Sequence, residues 1–138
     1  MSVNYSVVSR KNPMSPEAPK KFYAQAQAAG TLDFETICQT IADRGTCIKG
    51  DVMAAIDGLI YSMKQGLSQG RIIRLGEFGS FQIAVGSYPA VNEKDFHMGL
   101  IKKARIVFRP GKLLTDMVKV LGFSQVAKLP VKEKVEKV

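Results

Sequence analysis

The sequence predicts an α+β fold, and three observations predict it. Residues 34–44 and 50–67 repeat apolar side chains at helical spacing, so two helices come first. Residues 71–85, "RIIRLGEFGSFQIAV", hold two short runs of period-2 alternation around a glycine-bearing turn, the pattern of a β-hairpin. Residues 102–109 alternate again, with Ala104, Ile106 and Phe108 on one face and Lys103, Arg105, Val107 and Arg109 on the other. Two helices, a three-stranded antiparallel sheet and a short last helix are therefore expected in that order.

Residues 1–32 read as an N-terminal extension outside the main core. "NYSVVSR" and "KFYAQAQA" each alternate like a strand, and "KNPMSPEAPK" between them holds three prolines that exclude helix. Two short strands joined by a stiff loop are expected, either of them able to protect a sheet edge. The cations Arg10, Lys11, Lys20 and Lys21 admit two readings, a basic arm for DNA or ordinary solvated surface.

Asp33 is a good N-cap for the first helix, whose stripe of Phe34, Ile37, Cys38 and Ile41 ends at Gly45. The second helix, from about Gly50 to Leu67, carries Val52, Met53, Ile56, Leu59, Ile60, Met63 and Leu67, and Gly66 and Gly70 are expected to release it into the hairpin. Residues 86–101 lose the alternation, so this arm is either a long hairpin extension or a loop. After the third strand, Pro110 and Gly111 stop the extended chain, with proline suited to a helix's first turn. Leu113, Leu114, Met117, Val118 and Leu121 then recur at helical spacing. Pro130 and the Lys/Glu run mark residues 122–138 as a flexible basic tail.

The formal charge is +8, and its distribution is more telling than its total. Residues 101–120 carry six Lys/Arg against one acid, whereas residues 76–100 carry three acids against one lysine. A cationic strand face beside the start of a helix suits phosphate groups, because side-chain charge and unpaired backbone N–H groups act together. Such clustering is the footprint of a nucleic-acid partner. No run is long and apolar enough for a membrane span, and the first residues lack the pattern of a signal peptide; a soluble, cytoplasmic chain is expected.

Catalytic and metal chemistry find little support in the sequence. There is no phosphate-binding glycine loop followed by Lys-Ser/Thr, no nucleophile and base at motif spacing, and no metal-ligand cluster. No cofactor, small-molecule substrate or membrane partner is expected. His97 is the only histidine and suits a surface or packing role, while Cys38 and Cys47 are expected to be small buried thiols.

"LGEFGSF" at the hairpin turn and "FRPGK" at the last strand-to-helix junction, in this order after "TCIKGDVMAAIDGL", resemble the bacterial histone-like HU/IHF family. The likeness runs from about Asp33 to Lys119 and is greatest to the HU-HIG-like variant with an N-terminal extension. The resemblance implies an HU/IHF-like domain over residues 33–121: an intertwined homodimer on double-stranded DNA, with helices as the base, a saddle of two sheets and a β-arm from each chain at the minor groove. The large apolar face of Phe78, Phe81, Ile83, Ile106 and Phe108 agrees with sharing between two copies.

The expected DNA-binding residues are Arg74, Ser80, Gln82, Pro89, Lys102, Lys103, Arg105, Arg109 and Lys112. The arm departs from the family's basic tip, since "SYPAVNEKDFHMG" has Pro89 as its one proline and acids nearby. Pro89 is thus either a wedge between base pairs or a plain turn residue. The functional expectation is histone-like, largely sequence-independent DNA binding in the nucleoid. The alternative is a structural or protein-interaction module that keeps the HU fold with weak or no DNA binding.

Overall fold

The computed structural model describes residues 2–127, which divide into two compact units. The larger, Asp33–Lys119, contains helices α1 (Phe34–Arg44) and α2 (Lys49–Ser68), strands β3 (Ile73–Arg74), β4 (Gly79–Ser87) and β5 (Ile101–Pro110), and helix α3 (Lys112–Lys119). The smaller is built from β1 (Ser2–Arg10), β2 (Lys21–Gln27) and β6 (Gly122–Gln125).

In the larger unit, α1 begins where Asp33 leaves extended backbone and its carboxylate accepts the Thr36 N–H at 2.8 Å. Hydrogen bonding from the Thr36 side chain, then from its backbone N–H, holds the Asp33 carboxyl below its ordinary pKa. Gly45 closes the helix as expected, its N–H donating to the Ala42 carbonyl at 3.2 Å. Cys38 is fully buried and Val52 nearly so, and these are the only buried apolar side chains described in this unit. Cys47 is exposed, contrary to expectation, because it lies in the turn between the helices and on neither apolar stripe.

The end of α2 also differs from the sequence reading. Gly66 is still helical, and its missing side chain leaves room for Ile73, whose Cδ1 would lie 2.5 Å from an added Cβ. Gly70, at φ +74°, is the residue that turns the chain toward β3.

The sheet order is β3-β4-β5, antiparallel throughout. Its register pairs Ile73 with Phe81, Phe81 with Phe108, Ile83 with Ile106 and Val85 with Ala104. These residues share one face by strand alternation. Phe78, Phe81 and Phe108 cluster there, with ring centroids 4.8–6.0 Å apart.

The expected β-arm is not a ribbon. Pairing ends at Ser87 and Ile101, and residues 88–100 form a loop with two short 3-10 turns, Glu93–Asp95 and Met98–Leu100. A segment without alternation has no second face with which to continue a hairpin, so the chain folds on itself. Pro110 is likewise not helical: it closes β5 opposite Gly79, and α3 starts at Lys112 and ends at Lys119, before Leu121.

In the smaller unit, β1 and β2 form the expected antiparallel pair, from Asn4↔Gln27 to Arg10↔Lys21. Neither is a strand of the β3-β4-β5 sheet. Instead β6 joins β1 in parallel, from Ser2↔Gly122 to Tyr5↔Gln125, giving the order β2-β1-β6. Gly122–Gln125 is therefore strand where a flexible tail was expected, because β1 offers an open edge whose N–H and C=O groups need partners. The rest of that tail, residues 128–138, lies outside the described residues. Ser6 is buried in this sheet, and its hydroxyl accepts the Gln27 Nε2 at 2.7 Å.

Gly79→Ala is expected to cost more than ~1 kcal/mol in chemical denaturation, since its φ of +137° disfavours a side chain and the added methyl would strike the Arg109 carbonyl. Gly58→Ala, inside α2 with nothing near an added Cβ, should instead gain roughly 0.5–1 kcal/mol. Equal stability of the two variants would contradict the β4–β5 approach.

The lowered Asp33 pKa means that its contribution is present above the unfolded-state value and is lost as pH falls through the folded-state value. Asp33→Asn keeps an acceptor at the cap but removes this titration. The variant's thermal midpoint should fall less steeply than the parent's on acidification below about pH 4; parallel curves would remove Asp33 from the acid response.

Candidate nucleic-acid interface

The two motifs singled out by sequence meet at one junction. Gly79 lies so close to β5 that an added Cβ would overlap the Arg109 carbonyl, and one on Gly111 would overlap the Glu77 carbonyl. The Gly111 N–H donates to the Phe78 carbonyl at 3.1 Å, and the Leu75 N–H to the Gly79 carbonyl at 2.9 Å. The "GEFG" turn is thus clamped against "RPG", which fixes where β5 ends and where α3 begins.

Above this clamp the register sets Arg74 opposite Ser80 and Ser80 opposite Arg109. The two arginines and the hydroxyl border a shallow concavity of about 260 Å³, floored by the backbone of Gly76, Gly79 and Gly111. Along the same face Gln82 pairs with Val107, Ala84 with Arg105 and Gly86 with Lys103. Arg105 and Lys103 therefore continue the row on the same face of β5, Arg105 roughly 13 Å along the strand from Arg109 with Val107 between them, and Lys103 roughly 7 Å further on.

Arg74, Lys103, Arg105 and Arg109 are exposed, and none is in an ion pair among the described residues. The ion pair found there is Lys119 to Asp116, 3.6 Å apart on α3. Uncompensated cations fixed on one side of a sheet can receive a row of anions without first breaking an internal pair.

Three of the expected residues lie outside this row. Lys102 has no partner in the register, because a β-bulge at Gly86/Ser87 skips it, and its Nζ sits 4.2 Å from the Tyr88 ring centroid. It braces the base of the loop. Pro89 is exposed two residues past β4, at that same base. Lys112 opens α3 just beyond the clamp, with the Thr115 N–H bonded to the Gly111 carbonyl at 3.0 Å.

Sequence reasoning passed over the backbone floor of the concavity, although the glycines of "LGEFGSF" and "RPGK" were its signal. It also passed over Tyr88 as the partner of Lys102. Among the described residues no group of three His, Cys, Asp or Glu could hold a metal, and no helix is long and apolar enough to cross a membrane.

Two clamped glycine motifs beneath a one-sided cationic sheet, preceded by two helices and followed by a short third, define an HU-type domain. The family model for an HU domain fused to a wHTH, Ig or glycine-rich motif matches residues 1–125, and the chain belongs to this HU-HIG family. That match begins at residue 1 and so includes the β1–β2 hairpin.

Among solved structures the chain is similar to a protein of Bacteroides vulgatus ATCC 8482, described as a candidate bacterial DNA-binding protein, with a TM-score of 0.63 at 14% identity. The alignment covers 96% of this chain and 51% of that one, so the chain spans about half the length of this relative. At this identity the likeness concerns the fold. No curated protein matches the chain.

Proposed function

We propose that the protein is a non-enzymatic, largely sequence-independent DNA-binding protein of the histone-like kind, working as a homodimer on the cytoplasmic nucleoid. The observation that carries this reading is the division of the β3-β4-β5 sheet: Arg74, Gln82, Lys103, Arg105 and Arg109 on one face, an apolar cluster on the other. Membership of the HU-HIG family supports it, as does the printed description of the Bacteroides relative.

Binding would proceed by neutralising phosphates and releasing their counterions, which gives affinity without reading base edges. The sheet face supplies most of this charge. The loop at residues 88–100 supplies little, since Glu93 and Asp95 outnumber Lys94, and Pro89 at its base is the candidate for a minor-groove contact.

The homodimer reading is supported by what one chain leaves uncovered. Phe78, Ile83, Ile106 and Phe108 are exposed on the sheet, as are Phe34, Ile41 and Ile60 on the helices. Their burial against a second copy would recover the hydrophobic free energy that a single chain forgoes.

One observation favours a second reading, that of a protein-interaction module. Val91 is 97% exposed and Met98 83% exposed in a loop that also carries Glu93 and Asp95, a combination suited to a protein partner. Retention on a DNA column separates the two readings: elution no later than a lysine-rich protein of similar pI, about 9.6, would favour the interaction module.

Arg105→Ala and Arg109→Ala should each weaken binding to all duplex sequences about equally and make the log–log salt slope shallower by about 0.9. Silent substitutions, or affinity insensitive to salt, would refute phosphate binding by this face. Sedimentation of the free protein should give twice the 15.1 kDa chain mass, and a monomer at micromolar concentration would refute the dimer.

A further inference from the structure

The loop between β1 and β2 brings together the cations that sequence reading left as either arm or solvated surface. Arg10 and Lys21 are direct partners in the antiparallel register, the last pair before the loop, and Lys11 and Lys20 follow immediately on either side. Like charges directly opposite one another destabilise a strand pair. None of the four is in an ion pair among the described residues.

The loop itself is built, not slack. The Asn12 side chain accepts the Met14 N–H at 3.0 Å, the Ser15 N–H reaches the Asn12 carbonyl at 3.2 Å, and the Ala18 N–H reaches the Ser15 carbonyl at 3.0 Å. Pro13, Pro16 and Pro19 hold their φ angles fixed. The result is a concavity of about 480 Å³ bordered by Arg10, Lys11, Pro13, Pro19, Lys21 and Tyr23.

We propose that this concavity is a second contact for the DNA sugar–phosphate backbone, distinct from the β3-β4-β5 sheet. A phosphate between Arg10 and Lys21 would turn their mutual repulsion into two attractions, with Lys11 and Lys20 placed for its neighbours along the strand. Pro13, Pro19 and Tyr23 give the deoxyribose an apolar wall. An open concavity with cations continuing past its rim suits a polymer of phosphates better than a single small anion. The choice of DNA rests on the function proposed for the sheet, whereas the cation cluster and its concavity do not.

The full chain, isotope-labelled and titrated with a short mixed-sequence duplex, tests this by backbone amide shifts. Shifts are expected both at residues 10–23 and along β4 and β5. Shifts in the sheet alone would overturn the hairpin contact and leave the sheet reading in place. Shifts in the hairpin alone would keep this proposal and refute the sheet, and shifts in neither would refute both.

The triple variant Arg10→Gln, Lys11→Gln, Lys21→Gln should also show a salt slope shallower by roughly two to three, at about 0.9 per phosphate. A charge-matched variant on the helices, Arg44→Gln, Lys49→Gln, Lys64→Gln, should not. Equal slopes for the two would reduce the hairpin's effect to net charge and overturn the proposal.

Discussion

The hydrogen bond from the Gly111 N–H to the Phe78 carbonyl, with the close passage of Gly79 beneath Arg109, is the constraint on which the larger unit depends. It joins a turn at one end of β4 to the residue that separates β5 from α3. A side chain at either glycine would push these segments apart, and with them Arg74, Ser80 and Arg109, which meet only because this register holds. The same passage puts Phe78 within 5.8 Å of Phe108, centroid to centroid, on the reverse face. One backbone contact therefore sets both the cationic surface and the aromatic cluster.

The second constraint is a shortage of interior. Val8, Cys38 and Val52 are the buried apolar residues among those described, although the chain is 46% hydrophobic. Covering one exposed Ile or Phe is worth roughly 1.5–3 kcal/mol. Several such residues stand partly open on α1, α2 and the sheet, so a second copy would cover apolar surface that the single chain leaves in water. In the proposed dimer the fold would be completed by assembly, and the cationic faces would be carried by a body that neither chain builds alone.

What the sequence made legible follows from the range of the interactions. The faces of β4 and β5 could be read because alternation is local and a slip of one residue would move the strand's apolar side chains to the cationic face. Asp33 could be read because a cap acts over three residues, to Thr36. β6 could not: "GFSQ" is four residues without alternation, and its partner β1 lies at the other end of the chain, where Ser124 bonds Ser2 at 2.9 Å. Lys102 was placed with the DNA-facing lysines on charge alone, and the bulge that removes it from the register leaves no mark in the sequence beyond Gly86. Cys47 shows the reverse failure, since a residue type that is usually buried lies in a turn with no apolar stripe to bury it.

The loop at residues 88–100 decides how the proposed binding would differ from that of a DNA-embracing arm. Two acids on a compact loop meet the phosphate field of a duplex with repulsion, and a chain folded into 3-10 turns does not reach along a groove. Contacts would therefore fall to side chains fixed on strands, which hold position but cannot follow the edges of bases. A surface of that kind senses the spacing and density of phosphates more than their sequence. In the proposed complex, strand-held cations would favour packing along DNA over sharp bending of it, because bending must be repaid by contacts made on the far side of the bend. Without a reaching arm, those contacts would have to come from elsewhere in the molecule, and among the described residues the cation-lined β1–β2 loop has the chemistry to make them.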